Sequence, residues 1–190
     1  MPPVRMSPGL LPETAVHTWT IDPVHTIAEF AVRHMMVTTV KGRFGKLEGA
    51  IEANEANPTA SSVRASIDVA SVDTHDEQRD AHLRSDDFFN AEKYPQITFV
   101  SKRVERVDEE NYRVIGDLTI RDVTKEVVLD TEFEGQIRDP YGNQRAGFTA
   151  TTQINRNDFG VSFNGALETG GVIVGDKVKI TLHVEVVRPA

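Results

Sequence analysis

The side chains that could do chemistry concentrate in one short, charged segment of the sequence. His75, Arg79 and His82 are spaced i, i+4 and i+7, which places them on one face of a helix. Asp76 and Asp80 lie nearby. Such a face could bind a metal ion if histidines and carboxylates converged, but the spacing supplies no third well-placed ligand. A solvated helix face, with Arg79 paired to a carboxylate, is the alternative, and we predict no metal site.

Two further histidines lie in or beside the apolar pattern. His34 follows Phe30 and Val32 on an alternating apolar row, so it is predicted to face the interior. There it is either a neutral imidazole held by a hydrogen bond or a contact for a polar head group or a carbonyl. Asp22 and His25 flank a proline in a turn and are predicted to pair with each other.

Catalytic arrangements are missing from the sequence. No nucleophile motif and no glycine-rich phosphate loop is present. Arg156 and Asp158 are predicted to form a structural ion pair within a polar loop. The enzymatic alternative is a hydrolase or isomerase acting inside the fold with His34 or His82 as its base. We predict that the protein is not an enzyme and has no catalytic residue.

Composition narrows the possible partners. The chain has 190 residues and a formal net charge of −8, which disfavours binding to nucleic acid. It has no cysteine, and no apolar run approaches the roughly 18 residues of a membrane-spanning helix. Residues 1–17 are predicted to be an irregular lead-in that lacks the continuous apolar stretch of a secretory signal. We therefore expect a cytoplasmic protein with a single domain over residues 18–190.

Alternating polar and apolar residues dominate the rest of the chain and predict strands. Turn residues such as Asn57-Pro58 and Gly170-Gly171 separate them, which favours antiparallel neighbours. A segment at 97–104 has mixed patterning and predicts a bulge or a twist. Thr74 and Glu77 fit a capping box that would begin a helix near 75–84. The predicted strands are 28–36, 47–53, 63–69, 97–104, 112–120, 127–137, 146–154 and 178–186.

About eight strands that each carry one apolar face require a closed sheet. The predicted fold is all-β: an antiparallel eight-stranded lipocalin-like β-barrel with one short helix near its mouth. Small residues such as Ala65, Gly116 and Ala150 recur on the inward rows and would leave space near the axis. A long, narrow apolar space suits a long apolar ligand, whereas large neighbouring side chains could also fill it. The pattern alone leaves both possibilities open.

Several motifs in fixed order resemble one known family. They are TWTIDPVHT at 18–26, FAVRHMMVTTVKGRFGKLEGAI at 30–51, RDAHLRSDDFFNAEKYPQITFVS at 79–101, GDLTIRDVTKEVVL at 116–129 and INRNDFGV at 154–161. Together they resemble the YceI-like family of lipocalin-like, polyisoprenoid-binding barrels. The resemblance implies binding, storage or transport of a long-chain apolar lipid of the polyisoprenoid, isoprenoid quinone or fatty-acyl type. It also implies a homodimer, with no cofactor besides the bound lipid and no membrane-embedded segment.

The inward rows and the resemblance together give the candidate site. A structural or stress-response barrel without a ligand is a further alternative to the lipid binder. The residues predicted to contact the lipid inside the barrel are Phe30, Val32, His34, Ala65, Ile67, Phe99, Val114, Gly116, Leu118, Leu129, Phe133, Phe148, Ala150 and Leu182. The residues predicted to shape the mouth or contact a head group are Arg79, His82, Phe88 and Phe89.

Overall fold

A computed structural model describes residues 16–165 and 173–190 of the chain. These residues form eleven strand segments, one α-helix and three short 3-10 turns. The segments are β1 (Val16–Ile21), β2 (Ile27–His34), β3 (Thr38–Phe44), β4 (Leu47–Asn54), β5 (Ser62–Asp68), β6 (Val72–Asp73), β7 (Gln96–Arg106), β8 (Asn111–Ile120), β9 (Val123–Arg138), β10 (Gln144–Asn155) and β11 (Val174–Arg188). The helix is α1 (Glu77–Arg84).

The segments form a closed antiparallel barrel of eight strands in which each strand pairs with the next along the chain. The first three barrel strands are bent, so β1 continues into β2, β3 into β4, and β5 into β6. The pairing shows this directly, because β1 pairs with β4 while β2 pairs with β3. The last strand, β11, closes the barrel on both halves of the first. The predicted all-β, eight-stranded barrel is therefore confirmed.

The bends explain which strands the sequence pattern missed. The predicted segments correspond to β2, β4, β5 and β7 to β11, one for each barrel strand. The other halves, β1, β3 and β6, are only 6, 7 and 2 residues long. β6 is too short to show alternation, and β3 carries only two apolar side chains, Val40 and Phe44, whereas the equally long β5 carries three. β1 begins at Val16, so the last two residues of the predicted lead-in belong to the first strand, and residues 1–15 lie outside the described residues.

The two ends of the barrel differ. At one end, which we call the helix end, the segment 74–95 with α1 connects β6 to β7, and β10 leads towards β11. At the other, which we call the loop end, 55–61, 107–110 and 139–143 connect consecutive strands. β1 begins at the loop end and β11 finishes there, because the two pair antiparallel.

The helix α1 forms where it was predicted, but its N-cap is a different residue from the predicted one. Asp76 is the N-cap, and its carboxylate accepts a hydrogen bond from the backbone N–H of Arg79 at 3.0 Å. Thr74, the predicted cap, is buried instead, so that prediction is wrong. Its hydroxyl donates to the buried Asp80 and accepts from Arg79 Nε at 2.8 Å. Thr74 thus anchors the start of α1 to the barrel.

The predicted bulge is present in β7, and it changes the interpretation of one predicted site residue. The register between β7 and β8 shifts between Ser101 and Arg103, opposite Gly116. A Cβ atom on Gly116 would lie 2.5 Å from the Val100 carbonyl oxygen and 2.6 Å from Cζ of Phe99. Gly116 is therefore required by close backbone packing and does not line the interior cavity.

Gly116→Ala is expected to destabilise the barrel by about 1–3 kcal/mol, because the added methyl group meets backbone that cannot move aside easily. Denaturant unfolding would measure this cost. Gly147→Ala is the matched control, since the nearest atom to its added Cβ is 4.0 Å away. Equal stability of the two variants would contradict the assignment.

Candidate functional site

The barrel is hollow. Its interior contains a cavity of about 490 Å³ that extends from the loop end to the helix end. This volume lies within the range of roughly 300–1,000 Å³ that is typical of small-molecule sites. The small inward residues therefore leave space that large neighbours do not fill. The cavity is the strongest candidate for a functional site in the described part of the chain.

Apolar side chains from all eight barrel strands line the cavity. Because strand side chains alternate between the two faces, each strand contributes every second residue. Apolar lining residues on the strands that were not on the predicted list are Trp19, Ile21, Ala28, Phe44, Leu47, Ile51, Ala53, Val63, Ile97, Val104, Tyr112, Ile120, Val127, Ala146, Ile154, Val174, Val178, Ile180, Val184 and Val186. The same alternation rule would have found most of them. Trp19 and Ile21 were missed because β1 was not recognised as a strand.

Polar residues join the lining at both ends. At the loop end, Asn54, Glu55 and Ser61 contribute from the end of β4 and the following connection, and Gln136 contributes from β9; at the helix end, the buried Arg156 contributes. Glu55 and Gln136 are exposed to solvent, so the cavity reaches the surface there. An amphiphilic molecule could therefore place its tail in the barrel and its polar group at the loop end.

The helix end is covered by packed side chains. Phe88, which is buried, and Phe89 contribute to the cavity wall from the segment that follows α1, and Leu83 contributes from the helix itself. Phe89 packs edge-on against Phe44 with ring centroids 5.6 Å apart. This segment therefore closes off the apolar space rather than opening it.

Arg156 fixes the β10–β11 side of the helix end. Its side chain is buried and donates hydrogen bonds to the backbone carbonyls of Val161, Phe163 and Gly175 at 2.7, 2.9 and 2.8 Å, with a longer one to Val174 at 3.2 Å. Burial lowers the pKa of Arg156 from its ordinary value, but a guanidinium remains charged in proteins.

The acidic residue nearest to Arg156 is not the predicted one. The guanidinium lies 3.9 Å from Asp176, and its hydrogen bonds go to backbone carbonyls rather than to Asp158. The predicted Arg156–Asp158 pair is therefore wrong. Arg156 organises the loop by replacing backbone hydrogen bonds that the irregular chain cannot make for itself.

Most of the residues predicted to contact a lipid line the cavity. Gly116 and His34 do not. His34 is on the expected row and is the last residue of β2, but it does not line the cavity, although Val174, which is opposite it on β11, does. The predicted residues that do line the cavity are Phe30, Val32, Ala65, Ile67, Phe99, Val114, Leu118, Leu129, Phe133, Phe148, Ala150 and Leu182. Whether they contact a ligand stays a prediction.

The four residues predicted for the mouth divide into two pairs. Phe88 and Phe89 line the cavity, as described above. Arg79 donates to the carbonyl of Thr74 at 2.6 Å, and His82 Nε2 lies 2.8 Å from the Asp87 carboxylate. Neither Arg79 nor His82 lines the cavity. Their contacts are those of residues that hold the helix segment together, and a head-group role for Arg79 or His82 stays a prediction.

A second polar cluster lies on the outside of the barrel, around the bend between β1 and β2. Asp22 pairs with His25 at 2.9 Å, as predicted, and with Arg145 Nη1 at 2.8 Å. Arg145 Nε also binds the buried Asp139 at 2.8 Å. Asp22, His25 and Glu185 offer ligand atoms within 4.8 Å of one another, as a metal site would. The guanidinium already neutralises these carboxylates, so the arrangement is an ion-pair network.

This network makes stability depend on pH in a direction that the pKa shifts determine. Hydrogen bonds from His25 and Arg145 lower the pKa of Asp22 from 3.8 to about 2. The stabilisation from Asp22 is therefore complete above the unfolded pKa and is lost as pH falls through about 2. The hydrogen bond to Asp22 raises the pKa of His25. The contribution of His25 is present below about pH 6.5 and is lost as pH rises through its folded pKa.

Asp22→Asn is expected to lower the free energy of unfolding at neutral pH, because it removes the charge that Arg145 and His25 share. The difference from wild type should shrink as pH falls from about 4 to about 2, where wild-type Asp22 becomes protonated. Denaturant unfolding across this range measures it. Asp130→Asn is the control, since that carboxylate is 72% exposed. A difference that is independent of pH would contradict the network.

Comparisons with known proteins agree with this architecture. In the described part of the chain, no helix is long and apolar enough to cross a membrane. UPF0312 proteins of Staphylococcus aureus are 40% identical over 168 residues, which is 88% of this chain and 95% of theirs. The structure of BcnA from Burkholderia cenocepacia has a TM-score of 0.76 at 27% identity and covers 87% of this chain and 98% of that one.

Two further structures share the fold. The Campylobacter jejuni YceI protein has a TM-score of 0.71 at 32% identity, covering 83% of this chain and 90% of that one. A polyisoprenoid-binding domain from Saccharophagus degradans has a TM-score of 0.66 at 15% identity, covering 92% of this chain and 100% of that one. Residues 19–186 match the YceI-like domain. The protein therefore belongs to the YceI-like domain family.

Proposed function

We propose that this protein binds a long-chain apolar lipid inside its barrel. The observation that carries the proposal is the continuous apolar cavity, closed by aromatic side chains at the helix end and rimmed by polar residues at the loop end. Burial of each CH₂ group contributes about 0.8 kcal/mol, so a dozen carbons supply roughly 10 kcal/mol before the cost of association. A long tail can thus be held without a covalent or charged anchor.

The family and the fold neighbour support a binding protein rather than an enzyme. The Saccharophagus degradans domain that shares this fold is described as polyisoprenoid-binding, although its 15% identity supports only the fold. A polyisoprenoid, an isoprenoid quinone or a fatty-acyl chain would each suit the cavity. Storage or transport of this lipid, a homodimeric assembly and a cytoplasmic location are further parts of the proposal, and each requires its own measurement.

Mass spectrometry of organic extracts from purified protein tests the proposal. We expect a long-chain lipid in near-stoichiometric amount. After delipidation, the protein should bind an environment-sensitive apolar probe that the extracted lipid displaces. Extracts without any lipid, together with no probe binding to the delipidated barrel, would refute the proposed function. Sedimentation analysis of the same sample would decide the assembly.

A further inference from the structure

Two nitrogen atoms at the loop end of the barrel are buried without hydrogen-bond partners. Nδ1 of His17 and Nε of Arg188 each expose less than 1 Å² to solvent, and neither has a partner among the described residues. Buried polar groups are normally satisfied, because a buried donor that loses its water partner costs free energy. Two such atoms at the same end of a ligand cavity therefore require an explanation.

Both residues extend rows of side chains that line the cavity. Trp19 on β1 and Val186 on β11 line it, and His17 and Arg188 are the next residues of the same parity towards the loop end. β1 and β11 are paired neighbours, with Thr20 opposite Val187. Neither His17 nor Arg188 lines the cavity itself, and their unpartnered nitrogens lie where two adjacent interior rows reach the loop end.

Trp19 holds the guanidinium of Arg188 in place. The central guanidinium carbon lies 5.3 Å from the centroid of the Trp19 ring, within the range of a cation–π contact. Trp19 is buried and also lines the cavity. The cation is therefore held on the apolar wall rather than extended freely into water.

The geometry points to an anion-binding site, formed by Arg188 and His17, for the carboxylate or phosphate head group of the lipid whose tail fills the barrel. This inference rests on the proposed function. Arginine presents forked N–H donors that match planar carboxylate and phosphate oxygens. A head group here would accept a hydrogen bond from Arg188 Nε, and from His17 Nδ1 in the tautomer that carries its proton there. Low local polarity would strengthen each bond. The head group is therefore placed opposite the helix segment that carries Arg79 and His82.

Binding of two ligands with the same tail separates the head-group site from tail binding. Delipidated protein is titrated with palmitic acid, with hexadecanol and with inorganic phosphate alone. Arg188→Gln should weaken palmitate binding about 10-fold to 100-fold, the factor expected for a charge-assisted hydrogen bond. Its hexadecanol affinity should change less than about twofold, which also shows that the variant is folded. Arg113→Gln removes an exposed charge from the outer face of β8 and should change neither affinity.

The possible outcomes are distinguishable. If wild type binds neither amphiphile, the proposed function fails and this inference fails with it. If wild type binds both but Arg188→Gln affects them equally, lipid binding stands and the anion site is wrong. A third outcome is that inorganic phosphate binds in an Arg188-dependent manner while wild type shows no preference for palmitate over hexadecanol. That result would identify a site for free anions and would overturn the head-group assignment. Should Arg188→Gln lose hexadecanol binding through misfolding, His17→Gln decides, and an unchanged palmitate-to-hexadecanol ratio there would refute the site.

Discussion

Replacing Ala150 with phenylalanine is expected to abolish binding of a long apolar chain while the barrel stays folded. Ala150 lies in the middle of β10, lines the cavity and is opposite Leu182 on β11. A phenyl ring at this position would project towards the axis and occupy the space of the tail. Because the ring gains burial in space that already exists, the free energy of unfolding should stay constant or rise.

If side chains filled the barrel, Ala150→Phe would lower the free energy of unfolding, and wild type would hold no lipid to lose. There the larger side chain would overpack the interior and cost typically 1–3 kcal/mol, which lowers the melting temperature of a domain of this size by several degrees. Lipid extraction and thermal melting of the same variant therefore distinguish the two cases. Delipidated wild type is the reference, because a bound ligand would raise the apparent stability.

The neighbouring residue provides the control for Ala150→Phe. Thr151 is adjacent on β10 but does not line the cavity, because its side chain is on the outer face. Thr151→Phe should therefore retain lipid binding. If Ala150→Phe retains as much lipid as Thr151→Phe, or if it melts early while wild type yields no lipid, the cavity is not a binding site.

Replacing Arg156 with methionine is expected to give the largest loss of stability. The guanidinium satisfies the carbonyls of Val161, Phe163, Val174 and Gly175, and methionine would leave them without this partner. Each hydrogen bond to a charged group contributes about 1.5–3 kcal/mol, so the loss of several of them is expected to cost about 3–5 kcal/mol. For a domain of this size, that corresponds to a fall of about 6–20 °C in melting temperature.

An exposed arginine gives the matched comparison for Arg156→Met. Arg113 is 54% exposed and lies 3.9 Å from Asp130, so Arg113→Met should cost about 0–1 kcal/mol. Arg156→Lys should be intermediate, because one ammonium group cannot reach all of the carbonyls at once. Similar melting temperatures for Arg156→Met and Arg113→Met would show that the loop does not depend on the guanidinium.

The alternation of polar and apolar residues was sufficient to predict the architecture and most of the residues that line the cavity. Alternation along β8 assigned Val114 and Leu118 to the inner face, and both line the cavity. This works because the side-chain period of a strand is two residues and depends only on its own backbone. Mixed patterning at 97–104 likewise indicated the bulge that the structure has at Ser101.

The same reasoning failed where the role of a residue depends on its tertiary contacts rather than on the pattern of its own strand or helix. Gly116 is on the inner row, yet the bulged backbone of β7 occupies its Cβ position. His34 continues the row of Val32 but does not line the cavity. Thr74 and Glu77 match the capping-box pattern. In the structure, however, Thr74 forms hydrogen bonds with Asp80 and Arg79, and Asp76 is the N-cap of α1.

By itself, the sequence determined the strand faces, the antiparallel meander, the single helix and the apolar character of the interior, because each of these follows from neighbours within a few residues. Only the tertiary structure decided that the interior is hollow, which end is closed, and that Arg188 meets Trp19 at the loop end. Closure of β11 onto β1 brings the first and last strands together. A contact between residues so far apart follows from the register of every strand between them, and no local pattern encodes that register.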